Sequence, residues 1–272
     1  MKNCSTRYIL ILMIIFFKMI PENAYSNVIN LQSQLKVHQG RKHVLFEIEV
    51  SNNGSTRALD LSITMHFLDQ VKTSDLVDIL NEKQSKTIRI KMDVPENKKG
   101  AFPLICEIQF YDNNLFPFYS LQCTNVYLHS QPLSESISAT VNDIHMFEKK
   151  TIEVFVKNKE LKDQQANIKM ILPGSFRCRQ SMQTIQLNGQ SEKISYTIKN
   201  QTALPETKHI GFILISYIKD NLHHSNITPF AIHVLSNNQS VFFSKRVLFF
   251  IYAGISFAWF FIVFVYVIRY RK

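Results

Sequence analysis

The stretch Gly100–Thr124, which reads GAFPLICEIQFYDNNLFPFYSLQCT, decides the fold. Apolar and polar residues alternate through both of its arms, which is the pattern of half-buried β-strands. The Asp-Asn-Asn run at positions 112–114 separates the arms and is typical of a turn. The stretch therefore predicts a β-hairpin with one cysteine in each arm, Cys106 and Cys123.

The same alternation recurs along the chain and predicts an all-β protein. Apolar residues occupy every second position over 44–50 and again over 152–156. Turn-forming residues separate these and further strand candidates, as in β-sandwich domains. The main helical candidate is a short piece at Ser74–Glu82.

The strand pattern repeats along the chain. Val50–Asn52 matches Val156–Asn158, and the QSKTIRIKM stretch from Gln84 matches the QSEKISYTIKN stretch from Gln190. In both matches the second segment lies 106 positions after the first. Segments that recur in order at one spacing predict two tandem domains of about 100 residues each.

The N-terminal segment has the features of a secretory signal peptide. Lys2 and Arg7 form a basic region, residues 8–17 are apolar, and Ala24-Tyr25-Ser26 provides small residues for cleavage. The prediction is a signal peptide at residues 1–26, with an uncleaved anchor as the alternative. The residues that follow are expected to be exported.

Val247–Ile268 is a run of 22 residues without a charged side chain. At about 1.5 Å per residue, such a helix covers the roughly 30 Å hydrocarbon core of a bilayer. Basic residues flank the run on both sides, and no ionisable Asp, Glu, Lys, Arg or His lies inside it. The run predicts a single membrane span that acts as an anchor rather than an ion or proton pathway.

Two turn signals lead to a family resemblance. Asn53-Gly54 follows the second predicted strand, and Gly100-Ala101-Phe102-Pro103 opens the sixth. With the surrounding strands, they resemble bacterial immunoglobulin-like domains of the CARDB group and the NPCBM-associated domain found beside alpha-galactosidases. The resemblance covers most of residues 27–236. It implies tandem Ig-like sandwiches that serve as spacers, docking modules or accessory domains.

The two cysteines of the hairpin allow two pairing registers. A loop of residues 113–116 places Cys106 directly opposite Cys123, where a disulfide could form. A loop of residues 113–114 makes them diagonal neighbours. Both registers place the pair on one inward face, either oxidised or as small core residues. Cys178 is then the odd cysteine. The neighbouring Arg177 and Arg179 could lower its pKa, but nothing else marks it as a nucleophile, and a free structural thiol is the favoured interpretation.

The end of the hairpin is the candidate binding site. Asp112, Phe116, Phe118 and Tyr119 lie at its tip and entry. Exposed aromatic side chains there would suit stacking on a sugar or docking to a protein. The alternative is that they close the end of the sandwich.

Motifs for catalysis and cofactor binding are missing from the sequence. It contains no GxSxG, HExxH, CxxC or phosphate-binding glycine loop. The closest approach to a metal cluster is His223-His224 with His233, but adjacent strand histidines point to opposite faces. Most of the net charge of +10 lies near the two ends of the chain, which argues against a nucleic-acid partner. We therefore expect no enzyme activity, no cofactor and no metal site.

The sequence predicts a single-pass protein of the plasma (inner) membrane, with its domains extracytoplasmic and its tail cytoplasmic. The leading function is an envelope scaffold that docks a membrane protein or envelope complex. The alternatives are a carbohydrate-binding or adhesive receptor, with a glycan as its ligand, and an accessory subunit of a secretion or glycan-assembly complex. The predicted segments are a signal peptide (1–26), two Ig-like sandwiches (27–130 and 131–236), a linker (237–246), a span (247–268) and a tail (269–272).

Overall fold

The computed structural model describes most of the chain between the two ends. The described residues are 29–40, 42–132, 134–160, 163–189, 191–236, 252, 254, 256, 259, 260 and 263–270. The predicted signal peptide and the predicted linker at 237–246 lie outside them, as does much of the predicted span. Among the described residues, no helix is long and apolar enough to cross a bilayer. Apart from helical residues near the C-terminus, the regular structure of the described residues is β-sheet, so the predicted all-β class is confirmed.

The chain forms two compact units. Unit 1 contains the described residues up to Glu135 together with the later segment Ser216–Ile227. Unit 2 contains Ser136–Ile215 and the described residues from Thr228 onward. The later segment of unit 1 includes the turn between the last two strands.

Unit 1 is a β-sandwich of two antiparallel sheets. One sheet has the strand order β1-β2-β6. In the other, β7 lies between β8 and β3, and both β4 and β5 pair with β3. The strands are β1 (Leu31–Gln39), β2 (His43–Asn52), β3 (Ala58–Phe67), β4 (Gln70–Thr73), β5 (Val77–Leu80), β6 (Ser85–Asp93), β7 (Gly100–Tyr111) and β8 (Pro117–Leu128).

The core of unit 1 follows the alternation of its strands. Every second residue of β2 is buried, and the same holds for β3 and β7 over most of their length. These side chains meet between the two sheets in one apolar cluster, in which the rings of Phe46 and Phe67 pack edge to face with centroids 5.3 Å apart. The inward alternation predicted for 44–50 is confirmed.

Unit 2 has the same two-layer construction. One sheet has the order β13-β15-β11-β9, and the other has the order β14-β12-β16-β17 with β10 parallel to β17. The strands are β9 (Ile137–Val141), β10 (Ile144–Met146), β11 (Lys149–Asn158), β12 (Gln164–Ile171), β13 (Phe176–Cys178), β14 (Met182–Leu187), β15 (Ser191–Asn200), β16 (Lys208–Lys219) and β17 (Leu222–Val234).

Tyr196 links the two sheets of unit 2. Its side chain is 1% exposed, and its hydroxyl donates a hydrogen bond to the carbonyl of Ile168 at 3.2 Å. Burial raises the pKa of Tyr196 to about 12, so the group stays a neutral donor. The predicted inward alternation over 152–156 is confirmed on the neighbouring strand β11.

The 106-residue offset seen in the sequence has a structural counterpart. Ser51 pairs with Ser85 in unit 1, and Lys157 pairs with Ser191 in unit 2, so both partners move by the same offset. In each unit the next residue of the first strand is a buried asparagine, Asn52 or Asn158. The side-chain oxygen of each asparagine accepts a hydrogen bond from the N–H two residues later, at 3.0 Å in both units.

The helix expected at Ser74–Glu82 is wrong, because strand β5 lies there. Its backbone pairs with β3, with Leu80 opposite Ala58 and Val77 opposite Leu61. Leu80 is 2% exposed and Val77 packs on the core cluster. Tertiary pairing with an existing strand therefore overrides the weak local preference for helix.

Candidate functional site

The loop of the β7–β8 hairpin is organised by Asp112. The Oδ1 atom of Asp112 accepts hydrogen bonds from the N–H groups of Asn114 and Phe116, at 2.8 and 2.9 Å. Leu115 adopts a positive φ of 60° between them. The loop therefore has five residues, from Asp112 to Phe116, with Tyr111 opposite Pro117. Because the carboxylate of Asp112 already accepts hydrogen bonds within the loop, a structural role explains this residue without a bound ligand.

This register corrects the sequence prediction for the two cysteines. Cys106 lies opposite Gln122, and Cys123 lies opposite Ile105. Because side chains alternate along a strand, Cys106 and Cys123 point to opposite faces of the sheet. Both thiols are free, and burial raises the pKa of each to about 12. The predicted shared inward face is wrong because the sequence predicts a loop of two or four residues, whereas the hairpin has a loop of five. An odd loop length turns the side chain of Cys123 to the other face of the sheet.

Two of the predicted tip aromatics help to close one end of the sandwich. The ring of Phe118 stacks on Phe110 at 5.4 Å and contacts the core cluster of unit 1. Phe116 is half-buried and packs edge to face against Phe118 at 5.3 Å. Leu115, by contrast, is 66% exposed and projects from the loop. Phe116 and Phe118 therefore hold the hairpin in place, and the exposed apolar residue of the tip is Leu115.

Tyr119 lies on the outer face of the hairpin, away from the core. Side chains of β7 and β8 that share its side of the sheet form a surface rich in tyrosine and aliphatic groups, here called the tyrosine face. Among the described residues of this hairpin on that side, Glu107 carries the one charge. The members of the tyrosine face on the two strands are the buried Leu121 and the half-buried Ile105, Glu107, Gln109, Tyr111, Tyr119 and Cys123.

The neighbouring strands extend the tyrosine face with further apolar residues. Leu59 of β3 pairs with Tyr111 on one side and with Ile79 of β5 on the other. Ile79 is 48% exposed. Burial raises the pKa of Tyr119, and the nearby Tyr111 and Glu107 raise it further. Strand alternation could have located this face only with the correct loop length, which depends on the hydrogen bonds of Asp112.

The histidines singled out in the sequence do not converge. His223 stacks on Phe102 at 4.4 Å, whereas His224 stacks on Tyr217 at 4.9 Å. His233 stacks instead on His145 at 4.7 Å, at the edge of a pocket of ≈ 560 Å³ in unit 2. In the part of the chain that the structure describes, no three His, Cys, Asp or Glu residues are placed to hold a metal ion.

Cys178 is half-buried near the end of β13. Its thiol lies 3.5 Å from the carbonyl oxygen of Gln180. Burial raises the pKa of Cys178, although its backbone hydrogen bonds with Gln180 and Thr197 oppose the shift. The expectation that Arg177 and Arg179 could lower this pKa is wrong, because desolvation of the thiolate is the largest effect.

No model of a known protein family matches the chain, and no curated protein matches it in sequence. Three solved structures illustrate what the fold is similar to. Red sea bream transglutaminase has a TM-score of 0.25 and 13% identity, covering 74% of this chain and 31% of that protein. Trypsin-activated alpha-2-macroglobulin from Escherichia coli has a TM-score of 0.30 and 10% identity, covering 75% and 18%. A protein of unknown function from Porphyromonas gingivalis has a TM-score of 0.30 and 11% identity, covering 75% and 99%.

At these values the likenesses assign neither a family nor an activity. The chain also spans less than a third of the length of the transglutaminase and of the alpha-2-macroglobulin.

Proposed function

We propose that the protein is a non-enzymatic, membrane-anchored scaffold of the cell envelope that docks a protein partner through its exported domains. The two units are tandem Ig-like sandwiches of the kind that the CARDB resemblance implies. The observation that carries the proposal is the tyrosine face of unit 1. Its members on the β7–β8 hairpin include the half-buried Tyr111 and Tyr119 and the buried Leu121, which is 7% exposed, with Glu107 as the one charge among the described residues there.

The composition of the tyrosine face fits a protein partner. The centres of protein interfaces are depleted in charged residues and enriched in tyrosine, which combines a large apolar area with a hydroxyl group. Here Gln109 donates a hydrogen bond to the hydroxyl of Tyr111 at 2.9 Å, so that ring is held in place before any partner binds. A partner surface with apolar groups and a few hydrogen-bonding groups would complement this face.

Site-specific photocrosslinking in the native membrane tests the docking surface. The photoreactive residue p-benzoylphenylalanine would replace Tyr119, and in a matched control it would replace Leu45, a half-buried residue on β2 of the other sheet. We expect a discrete protein adduct from position 119 that is absent from position 45. Gln109→Lys should abolish this adduct, because a charge at the centre of the face would have to be desolvated.

Two results would overturn the docking proposal. One is the absence of any protein adduct at position 119 in native membranes at a normal level of the chain. The other is the same set of adducts from positions 119 and 45, which would indicate random collision.

The anchor is a separate part of the proposal. Val247–Ile268 is proposed to hold the chain in the plasma membrane with a short cytoplasmic tail. Replacing this run with an unrelated apolar helix should preserve both membrane association and the adduct at Tyr119. Deleting it should move the chain to the fraction released by alkaline carbonate, and retention in the pellet would contradict the anchor.

A further inference from the structure

Unit 2 carries a row of three cations across one of its sheets. Lys199 of β15 lies directly opposite Lys149 of β11 on one side and Arg177 of β13 on the other. All three side chains are exposed on the outer side of the sheet. Like charges directly opposite each other on neighbouring strands are destabilising. The fold therefore keeps three mutually repelling cations together at one edge of this surface.

The positive charge continues along the same side of the sheet. Lys193 and Lys157 also face outward, and Lys193 forms an ion pair with Glu153 at 2.6 Å. Among the described residues of β9, β11, β13 and β15, Glu153 is the one acid on this outer side. The surface, here called the basic face, thus has five cations against one carboxylate. Its cations are Lys149, Lys157, Arg177, Lys193 and Lys199.

Hydroxyl groups fill the space between the cations. The hydroxyls of Thr151 and Thr197 share a hydrogen bond at 2.9 Å, directly beside the row of three cations. Ser195, Ser191, Thr140 and Ser138 lie on the same side by their pairing with β11. These groups can both donate and accept hydrogen bonds. The basic face is therefore polar and hydrogen-bonding over its whole length, rather than a simple cluster of lysines.

One exposed aromatic ring lies within this polar surface. Phe155 is 46% exposed and lies between Lys193 on β15 and Thr140 on β9. An apolar ring flanked by hydroxyls and a cation offers a flat platform on a sheet that is otherwise polar. Lys199 and Lys193 are six residues apart on β15, so the cationic ends of the surface lie roughly 20 Å apart.

The geometry points to an acidic polysaccharide as the ligand of the basic face. An extended chain of uronic-acid type would place carboxylates on the two cationic ends and its hydroxyls on the serine and threonine rows. One of its rings would stack on Phe155. This inference concerns another surface and another partner class than the tyrosine face, and it does not rest on the scaffold proposal.

Other anionic partners fit this surface less well. Single-stranded nucleic acids are bound on several aromatic platforms, whereas Phe155 is the one exposed aromatic side chain among the described residues of this face. A membrane surface engages basic residues together with an inserted apolar side of a helix, and the hydroxyl rows here offer none. The serine and threonine side chains between the cationic ends would instead complement a ligand that is rich in hydroxyl groups.

The test measures binding of the full-length chain, purified in neutral detergent, to immobilised polygalacturonate. Fully methyl-esterified polygalacturonate is the uncharged control, and vesicles of phosphatidylglycerol and phosphatidylcholine report binding to lipid. The test variant is Lys149→Gln with Lys199→Gln. The matched control is Lys86→Gln with Lys91→Gln, which removes two exposed lysines from β6 of unit 1. Phe155→Ala tests the stacking platform.

We expect the wild-type chain to bind polygalacturonate and not its methyl ester. The variant at positions 149 and 199 should lose about five- to tenfold in affinity, as removal of two surface charge contacts predicts. The control pair should lose less than about twofold at the same net charge. Phe155→Ala should weaken binding without changing its dependence on salt, because it removes no charge.

Three outcomes would overturn the inference. Equal losses in the test and control pairs would show attraction by overall charge alone. Binding of anionic vesicles without polygalacturonate, lost in the test pair, would assign the surface to lipid headgroups. No binding of either probe by a folded chain would show that the basic face has no polyanionic ligand of this kind.

Discussion

Gly100 and His223 are in backbone contact within unit 1. Gly100 has a φ of 117°, and a Cβ atom at this position would overlap the backbone of His223. The side chain of His223 adds two contacts with the residues that follow Gly100. Its Nδ1 donates a hydrogen bond to the carbonyl of Ala101 at 2.5 Å, and its ring stacks on Phe102. The tip of the β16–β17 hairpin is thereby held against the start of β7 by a residue without a side chain.

Substitution of Gly100 should be strongly destabilising. Gly100→Ala combines a backbone conformation that L-residues rarely adopt with overlap against another backbone, so we expect a loss of about 3 kcal/mol or more in the free energy of unfolding. Urea denaturation of the full chain measures it. Gly254→Ala is the control, because an added Cβ there meets no atom within 4 Å in the part of the chain that the structure describes. Equal stability of the two variants would show that the contact does not constrain Gly100.

An engineered disulfide can test the register of the β7–β8 hairpin. Ile105 lies directly opposite Cys123, so Ile105→Cys should form a disulfide with Cys123 under mild oxidation, which peptide mapping without reduction would detect. The native Cys106 should form none, because it lies on the other face of the sheet. A Cys106–Cys123 link in the wild-type chain would instead establish a loop with an even number of residues.

The paired asparagines should be structural in both units. The amide of Asn52 donates to the carbonyls of Thr56 and Leu80 at 2.8 and 3.1 Å, and its side chain is fully buried. Asn52→Ala leaves these buried groups without partners, and we expect a loss of about 2–4 kcal/mol in the free energy of unfolding. Asn158→Ala should also be destabilising. The exposed Asn53→Ala is the control for the first repeat, and a loss there as large as in Asn52→Ala would contradict the assigned role.

Period-two alternation was sufficient to predict many of the strands and the inward residues of β2 and β11, but not β5, and the recurring segments were sufficient to predict the 106-residue offset. These features depend on local pattern, which the sequence carries directly. The outward side of β8 could not be predicted in the same way, because one additional residue in a loop reverses every side chain that follows. The loop length is set by the hydrogen bonds of Asp112, and the row formed by Lys149, Lys199 and Arg177 exists only once three distant strands are paired.

Acid should destabilise the chain through two half-buried histidines, His223 and His209. Burial lowers the pKa of His223 below its ordinary value of 6.5, nearby Lys98 lowers it further, and the hydrogen bond with Ala101 partly opposes the shift. Burial also lowers the pKa of His209. The unfolded chain therefore binds protons that the folded chain does not, so the free energy of unfolding should fall as the pH falls through about 6.5.

Denaturation at a series of pH values between 7.5 and 5.5 checks this linkage. Lys98→Gln should make the fall shallower, because removing the cation raises the pKa of His223 toward its ordinary value. His223→Gln should make it shallower still, although it lowers stability at pH 7.5 by removing the stack on Phe102. If both variants keep the pH dependence of the wild type, His223 does not contribute to the loss of stability in acid.

The repulsion across the basic face should be visible in stability as well as in binding. Lys199 faces two cations at once, so Lys199→Gln should raise the free energy of unfolding by about a few tenths of a kcal/mol at low ionic strength. Lys157 has Ser191 on one side and Ser138 on the other, so Lys157→Gln is the matched control and should be neutral. At about 1 M salt the Debye length is roughly 3 Å, and the gain in the free energy of unfolding should disappear.

Thermal unfolding of both variants at low and high salt measures the difference. A gain that persists at high salt would mean that Lys199 is unfavourable for a reason other than charge, whereas a gain confined to low salt would show that the folded sheet tolerates electrostatic strain at the position where the acidic ligand is proposed to bind.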